Sequence, residues 1–159
     1  MTDMLLLPPP GLPPTVQRAI KRAQNHLEKY LRKPGILLTN PTLTHEWLKL
    51  KLSGLEREVF MVLYLDSQLC LLEHETLFLG TINHIEVHPR EIIKSALRCN
   101  AARVILVHNH PSGVTNASKS DRVLTTRIVK TLDLVDVQVV DHLIIGNGNC
   151  LSFAERGWL

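Results

Sequence analysis

The chain has 159 residues, of which 45% are hydrophobic and 21% charged, and it carries a formal net charge of +3. A single domain of this size buries about 68–70% of its unfolded surface and needs no disulfide scaffold. Aromatic residues make up only 4% of the chain, so the core must be aliphatic, and a base-stacking platform for single-stranded nucleic acid is disfavoured.

Cys70, Cys99 and Cys150 form no CxxC pair and read as small buried hydrophobes in a reducing cytoplasm. "MLLLPPP" lacks the basic flank and apolar length of a signal peptide. No run reaches the ~20 apolar residues of a membrane span. A cytoplasmic protein is expected.

The first fourteen residues are proline-rich and read as an extended arm. From Thr15 to Lys33, Val16, Ile20, Ala23, Leu27 and Leu31 recur at helical spacing. The opposite face carries Arg18, Lys21, Arg22, Lys29, Arg32 and Lys33 against one acid, Glu28. That face suits a solvated surface or a contact with DNA phosphates. "NPTLTHEWLKLKLSG" reads as a shorter helix ending at Gly54.

"EVFMVLYL" (58–65) is a continuous apolar run suited to a central strand, and "LCLLEHETLFLG" returns antiparallel to it after the turn "DSQ". "HPREIIKSALRCNAA" is helical in pattern, with Pro89 in its first turn and Ile92, Ile93, Ala96 and Leu97 on one face. "RVILV" is a short buried strand, and "SKSDRVLTTRIVKTLDL" is a helix with Leu124, Ile128 and Leu132 in register. "VQVVDHLIIG" and "CLSF" close the chain as a hairpin around "NGN". This order specifies an α/β sandwich around a mixed sheet.

The chemistry concentrates in "HNHPSGVTNASKSD" (108–121). In an extended chain, side chains two residues apart share a face, so His108 and His110 project together and Asn109 points away. Two imidazoles so placed can converge on one metal ion. Pro111 then ends the strand, at the position where α/β sheets usually keep their ligands. "SKSD" fits a capping box in which Ser118 caps the next helix and Asp121 answers at N3. A carboxylate held there is equally a pre-oriented metal ligand.

The pattern His-x-His, seven residues, Ser, two residues, Asp matches the JAMM motif of JAB/MPN metalloprotease domains at His108, His110, Ser118 and Asp121. "HPREIIKSAL", "HNHPSG" and "DHLIIG" further resemble the bacterial RadC family over residues 37–159. The resemblance implies a three-layer α/β/α sandwich of the cytidine-deaminase-like kind, preceded by the arm and basic helix of residues 1–36. It also implies one zinc per chain, held by His108, His110 and Asp121 with water as fourth ligand. By the same analogy Glu58, at the head of "EVFMVLYL", is the general base, and Ser118 stabilises the oxyanion unless it serves only as a cap. Without the resemblance, Glu56, Glu73, Glu75, Glu86 and Glu91 compete with Glu58 for that role.

His142 in "DHLIIG" either supports the site or is a hydrogen-bonded histidine at a strand start. His88 belongs to a strand-to-helix joint, and His26, His45, His74 and His84 have no constellation. The expected function is a zinc peptidase or isopeptidase acting on a peptide or protein substrate. The alternative is a DNA-repair or DNA-transaction accessory protein with a structural metal. The longer RadC-like proteins carry an N-terminal helix-hairpin-helix region that 159 residues are not expected to include, so only the basic helix favours that alternative.

Overall fold

The computed structural model describes residues 11–33, 40–80 and 86–159. Residues 1–10 of the proline-rich arm, the expected 36/37 boundary and His84 lie outside that description.

Helix α1 (Pro14–Leu31) starts on a proline at N1, where the missing N–H is no loss. It settles on the body of the protein toward its C-terminal end. Val16 is 41% exposed, Ile20, Ala23 and Leu27 are half-buried, and Leu31 is fully buried. Part of its charged face also makes contacts with the body of the protein. Glu28 pairs with His74 at 3.0 Å and Arg32 at 2.9 Å, and Arg32 donates to the Leu72 carbonyl at 2.6 Å. Arg18, Lys21, Arg22 and Lys29 remain exposed. Helix α2 (Pro41–Leu52) is capped by the Asn40 side chain, which accepts from the Leu43 N–H at 3.1 Å, and it buries Trp47, Leu48 and Leu52.

Strand β1 (Val59–Leu65) is buried on both faces, as its unbroken apolar run requires. Asp66 closes the following turn by accepting from the N–H groups of Gln68 and Cys70 at 2.8 and 2.9 Å. Strand β2 (Leu71–Leu79) then returns antiparallel along β1. Helix α3 (Pro89–Arg98), β3 (Arg103–Asn109), α4 (Lys119–Asp133), β4 (Gln138–Ile145) and β5 (Cys150–Ser152) follow. The sheet order is β2-β1-β3-β4-β5, with β3 and β4 parallel and every other pair antiparallel.

Alternation along β1 divides the core. Val59, Met61, Leu63 and Leu65 pack with α1 and α2, whereas Phe60, Val62 and Tyr64 pack with α3 and α4. The fold is therefore the three-layer α/β/α sandwich around a mixed sheet.

Two expectations need correction. On α3, Leu97 is 57% exposed and Ser95 takes the inward position, donating to Glu75 at 2.8 Å. A polar residue on that face is tolerated because a carboxylate of β2 meets it. The three cysteines are free but only half-buried, and Cys99 donates to Glu73 at 3.2 Å.

Candidate metal centre

Strand β3 is held by β1 on one side and β4 on the other, so its C-terminal end is a rigid platform. His108 lies on the face that packs against α3 and α4, in step with Val104 and Leu106. Its side chain is almost fully buried. His110 follows on the same side just past the strand, where its N–H donates to the Ile145 carbonyl at 2.9 Å. The chain then turns back through Gly113, whose φ of +82° suits a residue without a side chain. Gly146 packs against this turn so closely that an added Cβ would lie 2.3 Å from the Gly113 carbonyl oxygen. Within the turn, His110 Nδ1 lies 2.7 Å from the Val114 carbonyl oxygen. A carbonyl only accepts, so Nδ1 carries a proton, and in the neutral ring Nε2 offers a lone pair inward.

Asp121 arrives on the first turn of α4. The expected capping box is formed: the Asp121 N–H donates to Ser118 Oγ at 3.0 Å, and the Ser118 N–H donates to Asp121 Oδ2 at 2.7 Å. The cap orients the carboxylate and leaves it facing the imidazoles.

His108 Nε2 and His110 Nε2 stand 2.9 Å apart. Asp121 Oδ1 is 3.4 Å from the former, and Oδ2 is 3.6 Å from the latter. A tetrahedral zinc with bonds of 2.0–2.1 Å places its ligands about 3.3–3.4 Å apart. The donor set and its spacing fit zinc. Among the described residues, this is the one group of three such side chains close enough to share an ion. His110 and Asp121 are 15% and 17% exposed, so an ion held here could take a further ligand from solvent.

The electrostatics suit a cation. Burial alone would raise the Asp121 carboxyl, but a proton on the facing Nε2 of His108 or His110, in the place a metal ion would take, hydrogen-bonds to it and holds the group far below the usual carboxylate range. His110 is raised above the ordinary imidazole value by hydrogen bonding to Asp121; burial opposes the rise, and the charge of Glu58 adds to it.

Glu58 itself lies just before β1 and is half-buried. The antiparallel register pairs Phe60 with His108, and the charge of Glu58, two residues before Phe60, acts on His110. Asn109 pins that segment. Its Oδ1 accepts from the Val59 N–H at 2.7 Å, and its Nδ2 donates to the Arg57 carbonyl at 3.0 Å. Of the competing acids, Glu73 and Glu75 pair with Arg98, Glu86 with His88, and Glu91 with Arg90 and Lys94, while Glu56 is exposed and lines the groove that also borders His110.

His142 is fully buried in β4, and its Nε2 lies 2.8 Å from His108 Nδ1. Its other nitrogen meets Thr125 of α4. Phe60 stacks on the His108 ring and Phe153 lies against His142, so both rings are fixed by packing. His142 is thus hydrogen-bonded and also in contact with the site. The roles of Asn109 and Thr125 have no signal in the sequence except their spacing from the ligands.

A groove of about 220 Å³ opens beside His110, between the Leu52–Glu56 turn and the Ile145–Asn147 turn. A larger concavity of about 720 Å³ follows the outer face of α4 from Lys119 to Thr131 and includes none of the three donor residues. Of the two, the first borders the triad, at His110. No helix among the described residues is long and apolar enough to cross a membrane.

Residues 38–158 match the family model of the RadC-like JAB domain. The chain is 52% identical over 160 residues to the UPF0758 protein YfjY of Escherichia coli strain K12, with all of both chains covered. It is 53% identical over 151 residues to the UPF0758 protein YkfG of the same strain, covering 95% of this chain and 96% of that one. A third relative, the UPF0758 protein YeeS, also from that strain, is 53% identical over 150 residues, covering 94% and 99% respectively. The chain belongs to the RadC family of JAB-domain proteins.

Proposed function

We propose that the protein is a zinc-dependent hydrolase of amide bonds, a peptidase or isopeptidase acting on a peptide or protein substrate. The observation that supports it most is the set of three donors, His108 Nε2, His110 Nε2 and the Asp121 carboxylate, separated by 2.9–3.6 Å at a sheet end. His108, His110 and Asp121 would hold the metal, and three protein ligands leave the open position that distinguishes a catalytic zinc from a structural one. Zinc, when bound, lowers the pKa of a water toward ~7 and polarises a carbonyl.

The chain's own residues would do the rest. Glu58, whose two neighbours are held by Asn109, takes the proton of the attacking water and delivers it to the leaving amine. Ser118 uses its oxygen to cap α4, so its hydroxyl proton is left to donate to the substrate oxygen as that atom gains charge. The groove beside His110 gives an extended substrate a path to the site.

The test is Glu58→Gln. Glutamine keeps the size of glutamate and its hydrogen bonding but accepts no proton. Zinc content and circular dichroism should match wild type, and turnover of a cleaved peptide or isopeptide should fall about 10²–10⁴-fold. Full activity would remove Glu58 from the mechanism, and loss of zinc would make it a ligand. A DNA-transaction role with a structural metal predicts no cleavage to lose.

A further inference from the structure

His108 has two ring nitrogens, and only Nε2 faces the other donors. What sets its protons is a chain of hydrogen bonds that runs away from the site and returns to it. His108 Nδ1 lies 2.8 Å from His142 Nε2, and His142 Nδ1 lies 2.6 Å from Thr125 Oγ1. Thr125 Oγ1 in turn donates to the backbone carbonyl of Asp121 at 2.6 Å.

The directions follow in order from that carbonyl. It can only accept, so the Thr125 hydroxyl proton is committed to it. The threonine oxygen must then accept from the His142 Nδ1–H. His142 is fully buried, and its two ring nitrogens are taken by His108 and Thr125, neither of which is an anion. With its proton on Nδ1, the ring has Nε2 left to accept from His108. His108 therefore donates from Nδ1. In the neutral ring this leaves Nε2 bare and directed at His110 and Asp121.

We infer that Thr125 and His142 are positioning residues of the metal centre, fixing His108 in the tautomer that can bind a metal and tying that tautomer to the turn of α4 that carries Asp121. This rests on the metal reading above and adds to it. Outer hydrogen bonds of this kind orient a ligand ring and set its basicity. A threonine that merely back-bonds to its own helix would do neither. The same helix supplies that comparison: Thr126 and Thr131 donate to the carbonyls of Arg122 and Arg127, and both are outside the relay.

The experiment measures zinc affinity of the full chain by competition with a chelating dye, for wild type, Thr125→Val, Thr125→Ser and Thr131→Val. The valine keeps the shape of threonine and removes the hydroxyl, and affinity should fall about 10–100-fold. Thr125→Ser should restore it to near the wild-type value, and Thr131→Val should leave it unchanged. A Thr125→Val protein that binds zinc like wild type overturns the inference, as does Thr125→Ser weakened as much as Thr125→Val.

Long-range proton–nitrogen spectra of the metal-free wild type supply a readout that needs neither a variant nor zinc. Protons on Nδ1 of both His108 and His142 support the relay, and a His108 ring without a proton on Nδ1 overturns it. Wild type that takes up no zinc removes the metal reading, and the nitrogen spectrum still decides the relay.

Discussion

Asn109 Oδ1 accepts the backbone N–H of Val59 at 2.7 Å, and the same side chain reaches the carbonyl of Arg57 at 3.0 Å. Glu58 is the residue enclosed by those two bonds. Side chains alternate along β3, so the histidines on either side of Asn109 turn toward α4 while Asn109 turns back onto the start of β1. One tripeptide thus carries two metal-ligand candidates and the clasp for the candidate base.

Asn109→Ala should uncouple those roles. It leaves the buried Val59 N–H and the Arg57 carbonyl without their side-chain partner, and a buried unsatisfied group costs about 1–3 kcal/mol. Urea denaturation should show a loss of that order, with zinc content retained because His108 and His110 are untouched. Turnover should fall because Glu58 is no longer held. Wild-type stability in this variant would mean that the clasp is not needed.

Ser118 has two roles that one substitution can separate. Asparagine caps helices about as well as serine, whereas alanine loses about 0.5–2 kcal/mol at such a position. Ser118→Ala should therefore lower the unfolding midpoint and Ser118→Asn should restore it. If the hydroxyl also serves the substrate oxygen, turnover should be low in both. Turnover that recovers with stability in Ser118→Asn would leave Ser118 as a cap alone.

The docking of α1 carries a pH signature. Hydrogen bonding from His74, opposed by burial and helped by Arg32, holds the Glu28 carboxyl at about 2 against an ordinary value of 4.5. A carboxylate whose folded pKa lies below its unfolded one stabilises the fold fully above the unfolded value. That contribution is lost as pH falls through the folded value. The stability gap between wild type and Glu28→Gln should be widest near neutrality and should close from about 4.5 toward about 2. A gap that does not change over this range would exclude the ion pair as its source.

Much of the layered fold is legible in the chain because periodicity reports burial directly. The unbroken run of β1 announced a strand covered on both faces, and "SKSD" announced a helix start that the structure forms as a capping box. His108, His110 and Asp121 were readable because all three fall within fourteen residues.

What was not legible depends on pairings between distant segments. Thr125 and His142 are 17 residues apart and meet only because α4 crosses back over β4. Arg32 and His74 looked like a solvated cation and an isolated histidine until α1 was laid against β2. On α3, hydrophobicity favoured Leu97 for the inner face, but the rotation of the helix put Ser95 there, opposite Glu75.

The claim on which the rest depends is that His108, His110 and Asp121 together hold a metal, and its most direct test is elemental analysis of purified wild type beside Asp121→Ala after equilibration with zinc. The account predicts about one zinc per chain in wild type and loss of most of it in the variant, because two imidazoles alone leave the ion short of the three protein ligands of a catalytic site. Wild type that stays metal-free, or Asp121→Ala that keeps the full complement, would contradict it.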